Sequence, residues 1–197
     1  MTLTDAGREL DEKRADERYR RLMAATRAAA VAGGYDAVSM RALAVTCRLS
    51  MTTIYQFCRS KDQLVAEALV DELEAFWTAQ AERPSRAASV ERRVQHVMHA
   101  WVGVLASDEA VLRPLLRALY SVDPEVVPVR TLAGSGFVAM VDAAVADAVP
   151  ADRTLAITTL GRVVDSVNRA WLSGRHGTDW AVAELDAAVR AIFRTER

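Results

Sequence analysis

An all-α fold is predicted for this 197-residue chain by three observations. Apolar residues recur at spacings of three and four along most of its length, the period of amphipathic helices. The alternating β-branched pattern of strands is absent. Serines, glycines and prolines fall where helices start and stop. The predicted architecture is an N-terminal three-helix helix-turn-helix module followed by a C-terminal helical bundle. The composition, 51% hydrophobic and 26% charged, is that of a folded protein and excludes disordered and collagen-like classes.

The first strong stripe is Tyr19, Leu22, Met23, Thr26, Ala29 and Ala30, on a helix expected to begin near Asp11 and to end at Gly33-Gly34. Ser39 is placed to cap a short helix over Met40–Thr46, and Ser50 a second one from Met51 to about Phe57. Only Cys47-Arg48-Leu49 separates them, so the turn is tight. Ser60, with Gln63 three residues on, has the capping-box spacing and opens a fourth helix that ends near Arg83-Pro84. Beyond it, Val90 to Leu105 forms one stripe. Ser107 is expected to cap a segment carrying Val111, Leu115 and Leu119, with a kink or break at Pro114. Pro124 and Pro128 bracket an expected loop, and Phe137, Val141, Val145 and Val149 mark a helix closing before Pro150. Two long helices follow, Leu155 to Trp171 and Val182 to Phe193, divided at Gly174–Thr178.

No apolar run approaches the roughly 20 residues that span a bilayer, and Thr4, Asp5, Arg8 and Glu9 do not read as a signal peptide. A cytoplasmic protein with no membrane partner is expected. Cys47 and Cys58 have no zinc-site spacing and read as packing residues. Charge is uneven. Eleven basic against seven acidic residues through Lys61 make the first third +4 within a chain whose net charge is −1. No acidic residue lies between Asp36 and Asp62, where Arg41, Arg48, Arg59 and Lys61 all fall, as a surface facing phosphates requires.

Three helices with a tight turn between the last two make a helix-turn-helix, whose final helix enters the major groove of DNA. Gly33-Gly34-Tyr35, Val38-Ser39-Met40-Arg41, Leu43-Ala44, Leu49-Ser50, Thr53-Ile54-Tyr55, Phe57, Ser60-Lys61 and Leu64 resemble, in order and spacing, the DNA-binding signature of the TetR family. The resemblance covers about residues 15–65. It implies a homodimer that reads double-stranded palindromic operator DNA and carries an effector pocket in its second domain. The expected domains are 1–63, for DNA binding, with a basic N-terminal arm, and 64–197, for ligand binding and dimerisation.

Met51, Thr52 and Thr53 open the recognition helix, where side chains reach base edges; threonine offers a hydroxyl and a methyl group. Tyr55 and Gln56 follow. The resemblance implies a phosphate contact for Tyr55, with core packing as the alternative. Lys61, at a helix N-terminus, combines its charge with free amide groups to hold another phosphate, and Ser39 and Arg41 are placed similarly. Two positions depart from the family pattern: Arg48 stands in the turn and Thr52 in the recognition helix where glycine is common. Arg48 is read as a further phosphate contact. The stretch Arg8 to Arg21 is either an arm reaching the minor groove or solvated helix surface.

Effector-binding candidates are Trp77, Met98, Trp101, Leu105, Leu115, Leu116, Leu119, Tyr120, Phe137, Met140 and Trp171, bulky residues on helices expected to converge. Each is also an ordinary core residue. Pro114-Leu115-Leu116, Arg162-Val163-Val164-Asp165 with Trp171, and Leu185-Asp186-Ala187-Ala188-Val189-Arg190 resemble the branch of the family that includes actinobacterial repressors of steroid catabolism. That resemblance implies an apolar effector, or an acyl or steroid thioester of coenzyme A, whose anionic end would want Arg113, Arg117 or Arg162. Small residues Ala156, Gly161, Ala170, Ala183, Ala187 and Ala188 suit a four-helix dimer interface.

The competing classes are a helical adaptor with a decayed DNA-binding module and a helical enzyme. His96 and His99 are three apart without an HExxH pattern, His176 lacks a partner nucleophile, and no phosphate-cradling glycine loop is present. No metal, catalytic residue or cofactor is expected.

Overall fold

The computed structural model describes residues 3–146 and 152–193, with side chains from residue 7 onward. Ten α-helices are described: α1 Leu3–Ala15, α2 Glu17–Ala37, α3 Met40–Thr46, α4 Met51–Phe57, α5 Lys61–Glu82, α6 Val90–Ser107, α7 Glu109–Leu119, α8 Val127–Ala144, α9 Arg153–Leu172 and α10 Thr178–Phe193. A 3-10 turn, Pro124–Val126, precedes α8, and no strand occurs among the described residues.

The chain forms two compact units that do not follow chain order. One comprises Met1–Leu73 with Asp108–Ala133, the other Glu74–Ser107 with Gly134–Arg197. In the first, α7 packs on α2 beside the short helices of the N-terminal module. Tyr19, Leu22, Met23, Leu43, Ile54, Leu64, Leu115 and Leu116 are buried there. In the second, α10 packs on both α6 and α9, with Met98, Leu105, Met140, Leu160, Trp171, Leu185 and Val189 buried. Trp101 donates its indole N–H to Asn168 Oδ1 at 3.1 Å, which satisfies both polar groups inside that core.

Several helix ends differ from expectation for identifiable reasons. The first helix does not start near Asp11: Asp16 is extended (φ −81°, ψ 121°), and its carboxylate caps α2 by accepting Arg18 N–H at 2.8 Å. Residues before it form a separate α1. Gly34 (φ 73°) ends the regular part of α2, as expected. Asp108 rather than Ser107 caps α7, because the Ser107 hydroxyl is turned back onto Val104 O at 3.0 Å. α7 runs without interruption through buried Pro114, so the expected break is absent. Pro128 lies in the first turn of α8 rather than in a loop; there the missing N–H costs no intrahelical bond. Val149 and Pro150 lie outside the described residues.

The segment Pro124–Ala144, 21 residues with a mean hydropathy of 1.3, is long and apolar enough by length and composition to cross a membrane, contrary to the expectation that no such run exists. It carries Arg130, whose guanidinium donates to the carbonyls of Leu119 and Ser121 at 3.1 and 2.8 Å within the first unit.

Candidate nucleic-acid interface

The N-terminal module is built around one buried carboxylate. Glu67, only 3% exposed, accepts from Lys13 Nζ at 3.0 Å and Gln63 Nε2 at 2.9 Å through one oxygen. Through the other it accepts from Tyr19 OH at 2.8 Å and the Cys58 thiol at 3.3 Å. The four donors come from α1, α2, the residue ending α4, and α5 itself. One charge on the connecting helix therefore ties together the elements that position the recognition helix. An edge contact between Tyr19 and Phe57, with ring centroids 5.6 Å apart, adds to the tie between α2 and α4.

Cys58 is thus more than the packing residue that its spacing suggests. Burial, then the Glu67 charge, push its thiol well above the ordinary value of 9.0, and the same two causes raise Tyr19. Burial lowers Lys13, but attraction to Glu67 and its other neighbours outweighs that and the net direction is upward. All three groups hold their protons more tightly folded than unfolded. The stability they contribute is complete below the unfolded values and is lost as pH rises through the folded ones. The urea midpoint is therefore expected to fall as pH climbs above about 9, the ordinary thiol value. A midpoint constant from neutral pH to well above the tyrosine range would contradict this coupling.

The reading helices are capped as their sequences require. Ser39 Oγ accepts from Ala42 N–H at 3.4 Å. Ser50 Oγ accepts from Thr53 N–H at 3.0 Å and also pairs with Thr53 Oγ1 at 2.8 Å. Gln63 N–H reaches Ser60 Oγ at 3.0 Å, while Gln63 Oε1 accepts from Arg59 N–H at 2.7 Å. The turn between α3 and α4 closes with Leu49 N–H on Ala44 O at 2.9 Å and Arg48 N–H on Val45 O at 3.1 Å, the Schellman arrangement. That arrangement needs a left-handed residue, and Arg48 supplies it with φ 52°.

Of the residues singled out from the sequence for DNA, Ser39, Arg41, Arg48, Thr52, Tyr55 and Gln56 are exposed, and Met51, Thr53 and Lys61 are half-buried. Tyr55 is 52% exposed, which leaves its ring available outside the core. Thr53 shares its hydroxyl with Ser50, whereas Thr52 is exposed and its hydroxyl has no described partner within the protein. Lys61 Nζ rests 4.2 Å over the Tyr35 ring, whose hydroxyl donates to Asp62. Other cations of the unit are already committed: Arg18, Arg27 and Arg117 pair with Asp16, Asp71 and Asp36. The first part of the basic arm is a docked helix, in which Leu10 is 5% exposed and Arg14 Nε approaches Asp71 at 3.4 Å.

The effector candidates fall into two sets. Leu115, Leu116, Leu119 and Tyr120 belong to the first unit; Trp77, Met98, Trp101, Leu105, Phe137, Met140 and Trp171 belong to the second. Within the second, Trp77 lies against Gly136 so closely that an added Cβ would come within 2.6 Å of its ring, and Phe137 faces Gly161. A cavity of about 300 Å³ in the first unit is lined by Lys13, Phe57, Gln63, Glu67 and Val129 among others, and a groove of about 800 Å³ in the second by Arg83, Arg86 and Arg93. None of the effector candidates lines either. Among the described residues no His, Cys, Asp or Glu cluster could hold a metal.

A capped helix pair with a closed turn, presenting polar and basic side chains from an otherwise buried three-helix core, is the DNA-binding module of a transcriptional regulator. Residues 22–68 match the family model described as bacterial regulatory proteins, tetR family. The chain is 28% identical to the HTH-type transcriptional repressor KstR of Mycolicibacterium smegmatis (strain ATCC 700084 / mc(2)155) over 193 residues, 95% of this chain and 93% of that protein. A crystal structure of a TetR transcriptional regulator from Rhodococcus sp. RHA1 has a similar fold, with TM-score 0.76 and 18% identity over 90% of this chain and 96% of that one. So does the transcriptional regulator FadR from Bacillus subtilis in complex with stearoyl-CoA, with TM-score 0.65 and 15% identity over 91% of this chain and 100% of that one. Residues 22–68 therefore carry the module of the tetR family of bacterial regulatory proteins, and the chain is similar to KstR repressors of that family along most of its length.

Proposed function

We propose that this regulator is a repressor that acts in the cytoplasm as a homodimer, holds a palindromic operator, and releases it when a small apolar, acyl or steroid-like effector binds. The observation that carries the DNA reading is the segregation of the module's surface. Ile54, Leu43 and Ala44 are buried while Thr52, Tyr55, Gln56, Arg41 and Arg48 on the same short helices and their turn are exposed. Thr52, Thr53 and Met51 read bases; Tyr55, Lys61, Ser39, Arg41 and Arg48 hold phosphates; exposed Gln56 follows Tyr55 on the recognition helix and faces the DNA with it. Residues 1–63 carry this function and 64–197 receive the effector and dimerise.

The effector class is supported by the KstR relative and by the stearoyl-CoA complex of the FadR neighbour. Regulation then works by linkage, the effector binding better to the arrangement that cannot hold DNA. For the dimer, exposed Ala183 and Ala187 on α10 and Leu155 on α9, 57% exposed, offer a face of close approach. Ala156 is buried within its own unit and does not contribute.

Substitution separates the two kinds of contact. Lys61→Ala is expected to weaken every duplex alike and to flatten the salt dependence by about 0.9 in log–log slope for each phosphate it no longer neutralises. Thr52→Val is expected to change which bases are preferred, at about 1–3 kcal/mol per base contact. Equilibrium titration against operator and scrambled duplexes checks both. Unchanged affinity and base preference in both variants would sink the assignment of this face.

A further inference from the structure

We propose that Arg21 of α2 and Arg48 of the turn form a two-arginine clamp on the DNA backbone phosphates that lead into the recognition helix. The clamp rests on the DNA reading above and adds a helix that lies outside the helix-turn-helix pair. The Cys47 thiol donates to Arg21 O at 3.7 Å, which seats that turn of α2 against the residue next to Arg48. The Arg21 charge reaches the same thiol, partly countering the upward push of burial on it.

Arg18 and Arg21 lie three residues apart on this part of α2 and so on one face. Arg18 lies 5.8 Å over the Phe57 ring, but Asp16 holds it at 2.5–3.1 Å through Nη2 and Nε and is itself pulled down to about 2 by that pairing. Its charge is neutralised within the protein. Arg21 is exposed, and no described carboxylate pairs with it.

Arg48 is the only described non-glycine residue with positive φ, in a turn that glycine would occupy without strain. Its side chain is exposed and no described carboxylate meets it, while the two hydrogen bonds that close the turn hold its backbone in place. Two neighbouring exposed cations without a described carboxylate repel one another, and an anion outside the protein relieves that repulsion. A row of phosphates supplies that chemistry.

The test compares Arg21→Ala, Arg48→Gly and Arg18→Ala with the parent, by fluorescence anisotropy on a selected operator duplex and on a scrambled duplex across a salt series. Arg21→Ala and Arg48→Gly are each expected to flatten the log–log slope by about 0.9 per protomer, about 1.8 per dimer, on both duplexes. Arg18→Ala, whose charge is already paired, should keep the parental slope. Arg48→Gly should also melt about 2–4 °C higher, because glycine relieves the left-handed strain; weaker binding by a more stable protein cannot be ascribed to misfolding. Parental slopes for Arg21→Ala or Arg48→Gly, while the parent itself binds with a clear salt dependence, would overturn the clamp and leave the DNA reading standing. A parent that binds neither duplex at any salt would overturn the DNA reading and the clamp with it.

Discussion

Glu67→Ala is expected to lower the free energy of unfolding by about 3–5 kcal/mol, the cost of removing one partner from a buried charge pair. The substitution deletes the acceptor of four donors at once. Lys13, its side chain 12% exposed, would be left largely enclosed without its main counter-charge, and the Tyr19 hydroxyl, fully buried, without an acceptor. A loss of that size takes much of the roughly 5–15 kcal/mol margin of an ordinary domain. Glu67→Gln keeps the shape and two acceptor lone pairs and should cost less. Urea titration of the three proteins checks the ordering, read as a fall in midpoint at similar slope. A Glu67→Ala protein within about 1 kcal/mol of the parent would mean that the charge does not organise the module, since surface ion pairs alone reach that magnitude. Operator affinity should fall in step with the fraction folded, because the carboxylate holds the recognition helix and touches no DNA.

The second large effect is on binding rather than folding. On the proposed reading, the cations Arg21, Arg41, Arg48 and Lys61 in each half of a dimer give about eight charged phosphate contacts, within the usual range of about 6–10. Affinity for operator is then expected to drop by about 10³–10⁵-fold between about 50 and 200 mM salt. The chain's net charge of −1 makes this a demanding expectation, because no general excess of positive charge produces it. The effect must come from the local surface of the module, above all the stretch between Asp36 and Asp62, which has no acidic residue. A change of less than about tenfold over that range would place the cations away from the DNA backbone.

Much of this architecture is legible in the sequence where local chemistry decides it. Ser39, Ser50 and Ser60 cap the helices whose starts they mark, since a serine hydroxyl with a free amide three residues on is a short-range matter. Where two capping residues stand side by side, at Ser107 and Asp108, the choice depends on which side chain turns back, and the sequence cannot rank them. The division of Leu115 and Leu116 from Trp101 and Trp171 is not legible either. All four read as buried helix positions, and periodicity says which face is apolar but not which partner covers it. The Glu67 network does leave a sequence signal: a glutamate between Ala66 and Ala68 in a run buried from Gln63 to Val70 must have partners, and residues far away in the chain supply most of them. The strain at Arg48 has its sequence trace in the missing turn glycine, and the structure gives that departure a backbone angle.

A dimer that reads a palindrome is the central claim, and the most direct measurement is an in vitro selection of genomic DNA fragments by the purified full chain at near-physiological salt. The expected result is one enriched palindrome, its half-sites about one helical turn apart or a multiple of it, with Thr52→Val abolishing the preference at the bases that residue reads. A protein shown to be folded and dimeric that enriches no palindrome, with or without an acyl-CoA present, would contradict it.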